Sequence, residues 1–457
     1  MAEPDIKTRN DYTDGSVFKS ILKMGLPSMF GFLIHHLYGM VDMYWVSKLS
    51  QGEVAVAAIT FFNNIMWLFF SFNQLVGPGS VAIISRRYGE RNYKLVEKAI
   101  KESIILKLFF GLLLGGTGLF FAEDILVIIG ARGEALDLGI AYGQIMFTVM
   151  PILFATYTIF TAMRGVANPN MALVLMLISN VLNMALDPFF IFGYLGLPAW
   201  GIKGAAYASV ISYCLTFSLG LFLFYTDRTN VKLNLSGVEK ITLSSMWKMV
   251  KIGIPAWLSD LSFSGSRLVI VPLIATFGTS VVAAYGVGTQ VTSLGVTILV
   301  GIGLGLSALI GHNLGGHKYE RAKKTADHSI LLGVGIMLTM ALITFILARF
   351  IMSIFFDNPE TIAQGVTLLR IFALGFPFIG AFIMMEEIHL GVGLNTPAMI
   401  LTIIHSWGMQ VLPILIVTEL LGLGSSAVWW VLSISILVSA NIFYQYYRRG
   451  KWLTIKL

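Results

Sequence analysis

Charged residues are scarce in this sequence. They make up 12 % of its 457 residues, whereas roughly 25 % is usual in soluble domains. Hydrophobic residues make up 56 %. Because so little polar surface is available to face water, the composition predicts an integral membrane protein and leaves little chain for any soluble domain. The net charge of +7 follows from membrane orientation, as described below, and does not imply a nucleic-acid partner.

Several other absences narrow the function. The single cysteine, Cys214, excludes an internal disulfide. The sequence has no G-x-x-x-x-G-K-[ST] motif, so ATP is not expected to drive it. An intramembrane enzyme would need a nucleophile or metal constellation, and the one Glu-x-x-His match, "EEIH" at 386–389, lacks the second copy that carboxylate-bridged metal sites require. The polar first 24 residues show no signal-peptide pattern.

Long apolar runs dominate the rest of the chain. A run of about 20 residues crosses the hydrocarbon as a helix, and twelve such runs predict an all-α membrane protein with twelve transmembrane helices. The runs lie near 25–47, 54–77, 100–121, 137–162, 171–193, 202–225, 248–277, 280–309, 329–356, 365–392, 397–420 and 425–446.

The lysines and arginines between these runs predict the orientation, because cytoplasmic loops carry the excess of both. With the N-terminus inside, 24 of them lie in inner segments, including Lys7, Arg9 and Lys456, and 4 lie in outer loops. We therefore expect a multi-pass protein of the cell membrane, with both termini cytoplasmic.

The sequence is internally duplicated. "KMGLP" at 23–27 recurs as "KIGIP" at 251–255, and "GVANPNM" at 165–171 recurs as "GLNTPAM" at 393–399, both at an offset of 228. Between them, the block at 79–99 matches 305–325 at an offset of 226. Two pseudo-symmetric six-helix bundles follow, and because six is even they are related by an axis along the membrane normal.

The repeat and the apolar runs together predict the domain boundaries. We expect a cytoplasmic N-terminal segment, an N-lobe of six helices, a cytoplasmic connector, a C-lobe of six helices and a cytoplasmic tail. Their predicted limits are 1–24, 25–225, 226–246, 247–446 and 447–457.

The fifth run contains a carboxylate, Asp187, at a depth where an ionised group costs free energy. Asn180, Asn183 and Asp187 have the 0, 3, 7 spacing that places side chains on one helical face. Pro188 has no N–H, so the carbonyl of Met184 loses its helical partner. Carboxylate, amide and carbonyl oxygens in one place suit a proton or a small hard cation.

The first run repeats this pattern with His35, Tyr38 and Asp42. Measured from the prolines that begin the two runs, Asp42 and Asp187 lie at depths that agree to within about 5 Å. The two carboxylates are therefore expected to face each other inside the N-lobe, where desolvation and a like-charged neighbour favour an exchangeable proton. The alternative is that each is buried in a satisfied hydrogen-bond network and only orders its helices.

The C-terminal half carries its own intramembrane charges. Asp260 and Arg267 lie in the seventh run, seven residues apart, and Glu386 and Glu387 lie in the tenth. Asp260, Glu386 and Glu387 are second-rank candidates for the ion site. Asp260 and Arg267 have a spacing at which they can form a structural ion pair.

Five motifs resemble the multidrug and toxic compound extrusion (MATE) family, most closely its DinF-like branch, from about residue 20 to 446. The motifs are "GLPSMFGFLIHHLYGMVDMYWVSKLS", "SRRYGERN", "MRGVANPN", "NVLNMALDPFFIFG" and "GIKGAAYAS". The resemblance implies two six-helix bundles and export of organic cations and other amphipathic drugs in exchange for H⁺ or Na⁺. It implies no other cofactor, and we expect a monomer in the lipid bilayer.

The resemblance also implies the site residues. The family's N-lobe cation site falls on Asp42 and Asp187, with Tyr38, Asn183 and a hydroxyl at Ser209. The carboxylates that the NorM-like branch uses for Na⁺ in the C-lobe fall on Phe263 and Ala381, so a C-lobe Na⁺ site is not expected at those positions. The rival function is a flippase for lipids or lipid-linked oligosaccharides, which would need a more cationic cavity than Arg267 and Arg370 provide.

Overall fold

The computed structural model describes residues 11–234 and 239–455, apart from the side chain of His36. Lys7, Arg9, Lys456 and the middle of the connector, 235–238, lie outside these residues. Over the described ranges all regular structure is helical, and twelve helices are long and apolar enough to cross a membrane, which confirms the predicted fold class. In chain order they are α1 Val17–Ser47, α2 Gly52–Gly89, α3 Tyr93–Ile128, α4 Gly133–Gly165, α5 Pro169–Phe192, α6 Ile202–Tyr225, α7 Leu243–Ala275, α8 Thr279–Gly315, α9 Tyr319–Phe355, α10 Pro359–Val392, α11 Asn395–Leu420 and α12 Ser425–Arg448.

Most of these helices are longer than the apolar runs that predicted them. α3, for example, begins at Tyr93 and not near residue 100, because the charged "YKLVEKAIK" segment continues the helix beyond its apolar part. The turns between helices are correspondingly short and repeat in the two halves. Arg91 and His317 both have left-handed backbone angles, with φ of 58° and 56°, and they lie at the 226-residue offset of the sequence repeat.

Two helices contain stretches that depart from α-helical geometry. A 3-10 turn, Phe72–Leu75, interrupts α2 just before Pro78. Two π-helical stretches, Ile404–Val411 and Ile416–Leu420, occupy half of α11. By contrast, α5 continues through Pro188 and ends at Phe192 with Gly193 as a left-handed cap, so the proline removes a donor without ending the helix.

By packing, the chain forms two compact units, each with its own core. Among the described residues, the first comprises 11–12, 26–234 and 239–253, and the second comprises 13–25 and 254–455. In the first unit α4 is the central helix, and its aromatic residues Phe147 and Phe154 pack in a core with Phe62 of α2. In the second unit α8 and α10 are the most buried helices, with Phe376, Met384 and Met385 in the core.

Each unit also includes the start of a helix whose remainder belongs to the other unit. The start of α7 packs in the first unit, where a Cβ added at Gly253 would lie 2.6 Å from the carbonyl oxygen of Gln74 and closer still to that of Leu75. The start of α1 packs in the second unit, where a Cβ at Gly305 would lie 2.8 Å from the backbone nitrogen of Gly25. Only glycine allows these backbone contacts, which explains why the repeated blocks contain glycine there.

The described parts of the connector are held against the first unit by two buried glutamates of α3. Glu97 accepts hydrogen bonds from the backbone nitrogen of Asn234 at 2.8 Å and from its side chain at 3.3 Å. Glu102, on the next turn, accepts from the backbone nitrogen of Thr242 at 3.0 Å and from Ser245 Oγ at 2.5 Å. The described parts of the connector on both sides of residues 235–238 are therefore anchored to one helix.

Candidate functional site

The two predicted carboxylates lie inside the first unit. Asp42 of α1 is 6 % exposed and Asp187 of α5 is fully buried. They are close enough to interact electrostatically, and Tyr142 of α4 is near enough to interact with both. A bare carboxylate is unfavourable inside a membrane protein, so two in one place require either a proton or a cation.

Asn183, Ser209 and Tyr38 link the carboxylate on α5 to α6 and α1. In the orientation that satisfies both ends of its amide, Asn183 donates to Asp187 Oδ2 at 3.3 Å. Its oxygen accepts from Ser209 N and Ser209 Oγ, each at 3.0 Å. The hydroxyls of Tyr38 and Ser209 are 3.4 Å apart. The structure therefore brings together three helices at this network.

Asn180 lies one turn before Asn183 and belongs to a neighbouring branch of the network. Its Oδ1 is 3.4 Å from His35 Nδ1, and the other ring nitrogen of His35 is 3.3 Å from the Tyr157 hydroxyl. The polar stripes of α1 and α5 thus meet along two turns, and all six first-rank residues predicted from the sequence lie in one polar region.

Several buried polar atoms in this region make no hydrogen bond to any described residue. Among the described residues, Asp42 Oδ1, Asp187 Oδ1, Asn180 Nδ2 and Ser212 Oγ are buried and make no hydrogen bond. Beside them lies a cavity of about 10 Å³ that is lined by Asn180 and Ser212 together with Tyr38, Ser179, Asn183, Ser209 and Tyr213. That volume is close to what one water molecule requires.

Sequence reasoning missed two hydroxyls of this site. Ser212 and Tyr213 of α6 line the cavity together with Tyr38. Their spacing was a usable signal, because Ser209, Ser212 and Tyr213 follow the 0, 3, 4 pattern of one helical face within an otherwise apolar segment.

Sequence reasoning also missed a buried cation in the same unit. Lys107 of α3 is 3 % exposed, and its ammonium donates to the backbone oxygen of Asn73 at 2.8 Å and to Asn73 Oδ1. It lies 5.7 Å from the centre of the Phe154 ring. The 3-10 turn in α2 presents Asn73 to this lysine, which explains why an isolated ammonium is tolerated there.

The second-rank carboxylates lie in the second unit. Ser307 of α8 donates to Glu387 Oε2 and is also 2.8 Å from the Glu387 backbone oxygen, so this buried glutamate joins α8 to α10. Glu386 is partly buried and interacts electrostatically with Glu387 and Asp260. Arg267 lies 4.7 Å from the centre of the Phe263 ring. At Phe263, where the NorM-like branch has a carboxylate, this chain therefore has a cation–aromatic contact.

The donor set of the first unit favours a hard cation or a proton. Nowhere in 11–234 or 239–455 do three or more His, Cys, Asp or Glu side chains form a group suited to a metal ion. Two carboxylates with neutral amide and hydroxyl oxygens are ligands of the kind that Na⁺ shares with other hard cations, and they also accept protons.

Comparisons with known proteins agree with the duplicated fold. The MatE family model matches the chain twice, at residues 27–189 and 255–416, which reproduces the 228-residue offset. The chain is 25 % identical over 436 residues to the probable multidrug resistance protein YoeA of Bacillus subtilis (strain 168), covering 95 % of this chain and 94 % of YoeA. It is 26 % identical to the multidrug export protein MepA of Staphylococcus aureus (strain MRSA252), covering 92 % and 91 %.

Two solved structures share the fold over nearly the whole chain. A crystal structure of a MATE protein in complex with MaD3S superposes with a TM-score of 0.87 at 25 % identity, covering 96 % of this chain and 97 % of that one. A MOP superfamily transporter from Pyrococcus furiosus superposes with a TM-score of 0.87 at 24 % identity, covering 98 % and 100 %.

Proposed function

We propose that this chain is a multidrug efflux antiporter. It belongs to the MatE family and is therefore a membrane transporter and not an enzyme. Its substrates are organic cations and other amphipathic compounds, which it exports in exchange for inward H⁺ or Na⁺. The observation that carries the coupling is the pair of buried carboxylates, Asp42 and Asp187, each with one oxygen that has no partner among the described residues.

The coupling ion acts by neutralising this pair. When Asp187 is ionised it accepts the hydrogen bond from Asn183, and Asn183 in turn holds Ser209 of α6. Protonation removes the negative charge of the carboxylate and turns one of its oxygens into a donor, so the charge-assisted hydrogen bond from Asn183 weakens. A change of charge thereby alters how α1, α5 and α6 pack, and this gives the ion a different affinity for the two access states, as coupling requires.

Na⁺ would use the same residues differently. The free oxygens Asp42 Oδ1 and Asp187 Oδ1 and the oxygens that line the small cavity would be its ligands. Either ion neutralises the same charge, so one coupling site can use H⁺ or Na⁺. Imposing one gradient at a time identifies which ion drives transport.

The proposed setting is the cell membrane, with a monomeric transporter whose termini are both cytoplasmic. The excess of Lys and Arg in every second loop supports this orientation. It places the turns after α2 and α8 in the cytoplasm and the turns after α1 and α3 outside.

Transport in everted membrane vesicles tests the proposal. A fluorescent organic cation is added outside the vesicles, and either a proton gradient or a Na⁺ gradient is imposed alone. One of the two should drive accumulation by the wild-type protein. Asp42→Asn and Asp187→Asn should each abolish this accumulation and leave the protein folded and inserted, because an amide is nearly isosteric and easier to bury than a carboxylate.

The matched control is Asp124→Asn, which removes the same charge from an exposed position near the end of α3 and should transport normally. Asn183→Ala should weaken coupling less than the aspartate variants, because it removes a partner and keeps the titrating group. Wild-type accumulation by both aspartate variants at equal expression would show that the pair is structural. If neither gradient drives accumulation by the wild-type protein, the antiport proposal itself is overturned.

A further inference from the structure

A long groove lies on the second unit, between α9, α10 and α12. It has a volume of about 770 Å³. It opens away from the core of the unit, because two of its lining side chains, Leu331 and Tyr444, are 69 % and 43 % exposed. The groove is separate from the carboxylate site, which lies in the first unit.

Small residues create the space. α9 and α10 approach closely at Gly333 and Gly380, where a Cβ on Gly380 would lie 2.7 Å from the carbonyl carbon of Gly333. Beside this contact Ala381 of α10 and Ala440 of α12 have short side chains and line the groove. The three helices therefore leave a channel along their shared outer surface.

The groove is apolar at one end and charged at the other. Val334, Pro377 and Phe378 line the apolar end, and Lys323 of α9 and Arg448 of α12 line the charged end. From Lys323 to Val334 the helix advances by about 16 Å, at about 1.5 Å per residue. This is close to half of a hydrocarbon core about 30 Å thick, so the groove has the length of a single leaflet.

The charged end is built by the last residues of the described chain. Gly450, with a φ of 70°, turns the chain back, so that Trp452 stacks on Tyr447 with ring centres 5.4 Å apart and an interplanar angle of 16°. The Tyr447 hydroxyl donates to Asp327 Oδ1 at 2.7 Å. This bond engages Asp327, the one acidic residue among the described residues that line the groove. Aromatic residues at this level are typical of a membrane interface.

Lys323 and Arg448 keep their charge available. Both are exposed, and within the described ranges neither forms an ion pair. Counting Asp327, the lining side chains have a net charge of +1. Asn441, an exposed amide on the membrane-spanning part of α12, lies between the charged and apolar ends. Its amide nitrogen donates to the backbone oxygen of Leu437 at 2.8 Å, and its second N–H can donate to an ester carbonyl.

We propose that this groove binds one anionic phospholipid, with its phosphate between Lys323 and Arg448 and one acyl chain along Val334 and Phe378. The match is between a negative headgroup and an unpaired cationic end, and between an acyl chain and a leaflet-long apolar channel. The proposed membrane orientation, with both termini cytoplasmic, assigns the lipid to the inner leaflet. Lipid binding does not depend on transport, so a failure of the antiport proposal leaves the lipid proposal standing, and the reverse.

Native mass spectrometry of the full-length protein in detergent tests the site. The protein is titrated with dioleoyl-phosphatidylglycerol or, at the same concentrations, with dioleoyl-phosphatidylcholine. We expect one tightly bound phosphatidylglycerol and no comparable phosphatidylcholine. The double variant Lys323→Gln/Arg448→Gln should bind phosphatidylglycerol about 30-fold more weakly, since each basic residue near a membrane surface contributes about a fivefold change in affinity.

The chain offers a close control. Lys324→Gln/Arg449→Gln removes the same charge from the adjacent residues, which do not line the groove, and should bind like the wild type. Ala381→Trp, which fills the apolar end, should also weaken binding, whereas glycerophosphoglycerol without acyl chains should not compete. Equal loss in the two double variants, equal binding of phosphatidylcholine, or unchanged binding by Ala381→Trp would each overturn the proposal.

Discussion

Replacing Gly253 by alanine should destabilise the protein through a single added methyl group. Gly253 lies at the start of α7, against the backbone of α2. Its added Cβ would come within 2.6 Å of the Gln74 carbonyl oxygen and still closer to that of Leu75. Ordinary contacts between such atoms are about 3.5 Å, so the two backbones must separate by about 1 Å. Neither atom belongs to a side chain that can rotate away.

Overpacking of this kind costs about 1–3 kcal/mol, and the backbone nature of both partners favours the upper part of that range. In a unit of this size each kcal/mol corresponds to about 2–4 °C. We therefore expect the midpoint of thermal unfolding in detergent, measured by the loss of the monodisperse size-exclusion peak, to fall by about 4–12 °C.

Gly335→Ala is the matched control. Gly335 lies within α9, and a Cβ there would have nothing within 4 Å. Since alanine is the better helix former by up to about 1 kcal/mol, this variant should be unchanged or slightly more stable. If Gly253→Ala unfolds at the temperature of the wild type, the start of α7 is not packed against α2 as described.

Three further predictions concern other parts of the chain. Lys107→Met should lower stability by about 1–3 kcal/mol, because it leaves the two Asn73 oxygens without their buried donor; a thermal midpoint equal to the wild type would contradict this. Glu102→Ala should expose the connector and speed its cleavage by trypsin about tenfold, equivalent to about 1.4 kcal/mol, whereas Glu90→Ala, which removes a surface carboxylate, should not. In a Cys214→Ser background, cysteines in the turns after α2 and α8 should resist an impermeant maleimide added to intact cells, and a cysteine in the turn after α3 should react; the reverse pattern would refute the orientation.

Much of the fold was predictable because a bilayer constrains sequence more strongly than water does. Every span must satisfy its own backbone hydrogen bonds and present apolar side chains, so twelve helices follow from hydropathy alone. The exchange of helix starts was not predictable in the same way. Hydropathy indicates which segments lie in the membrane, but it carries no information about which helix lies beside a given residue. The glycines of the repeated blocks, Gly253 and Gly305 among them, signalled close contact without identifying the partner.

The site was predictable where its signal was periodic. Two aspartates at matched depth, each with polar residues at helical spacing, led to helices whose polar side chains lie together in the structure. Lys107 had no such signal, because a single lysine in an apolar run looks the same whether it is buried or extends to the interface. Its partner is largely a backbone oxygen, which the 3-10 turn at Asn73 presents and which no residue type encodes.

The exchanged helix starts also constrain the order in which this protein can assemble on the ribosome. The segment Thr13–Gly25 packs against Gly305 of α8, which is made about 280 residues later in the chain. At synthesis rates of about 5–20 residues per second, it waits roughly 14–56 s before its neighbour exists. The first unit likewise cannot close until Gly253 has been made. Neither half of the gene therefore encodes a unit that can finish folding alone, although the sequence arose by duplication of one half. Separately expressed halves would have to exchange these segments in the membrane to rebuild the native protein.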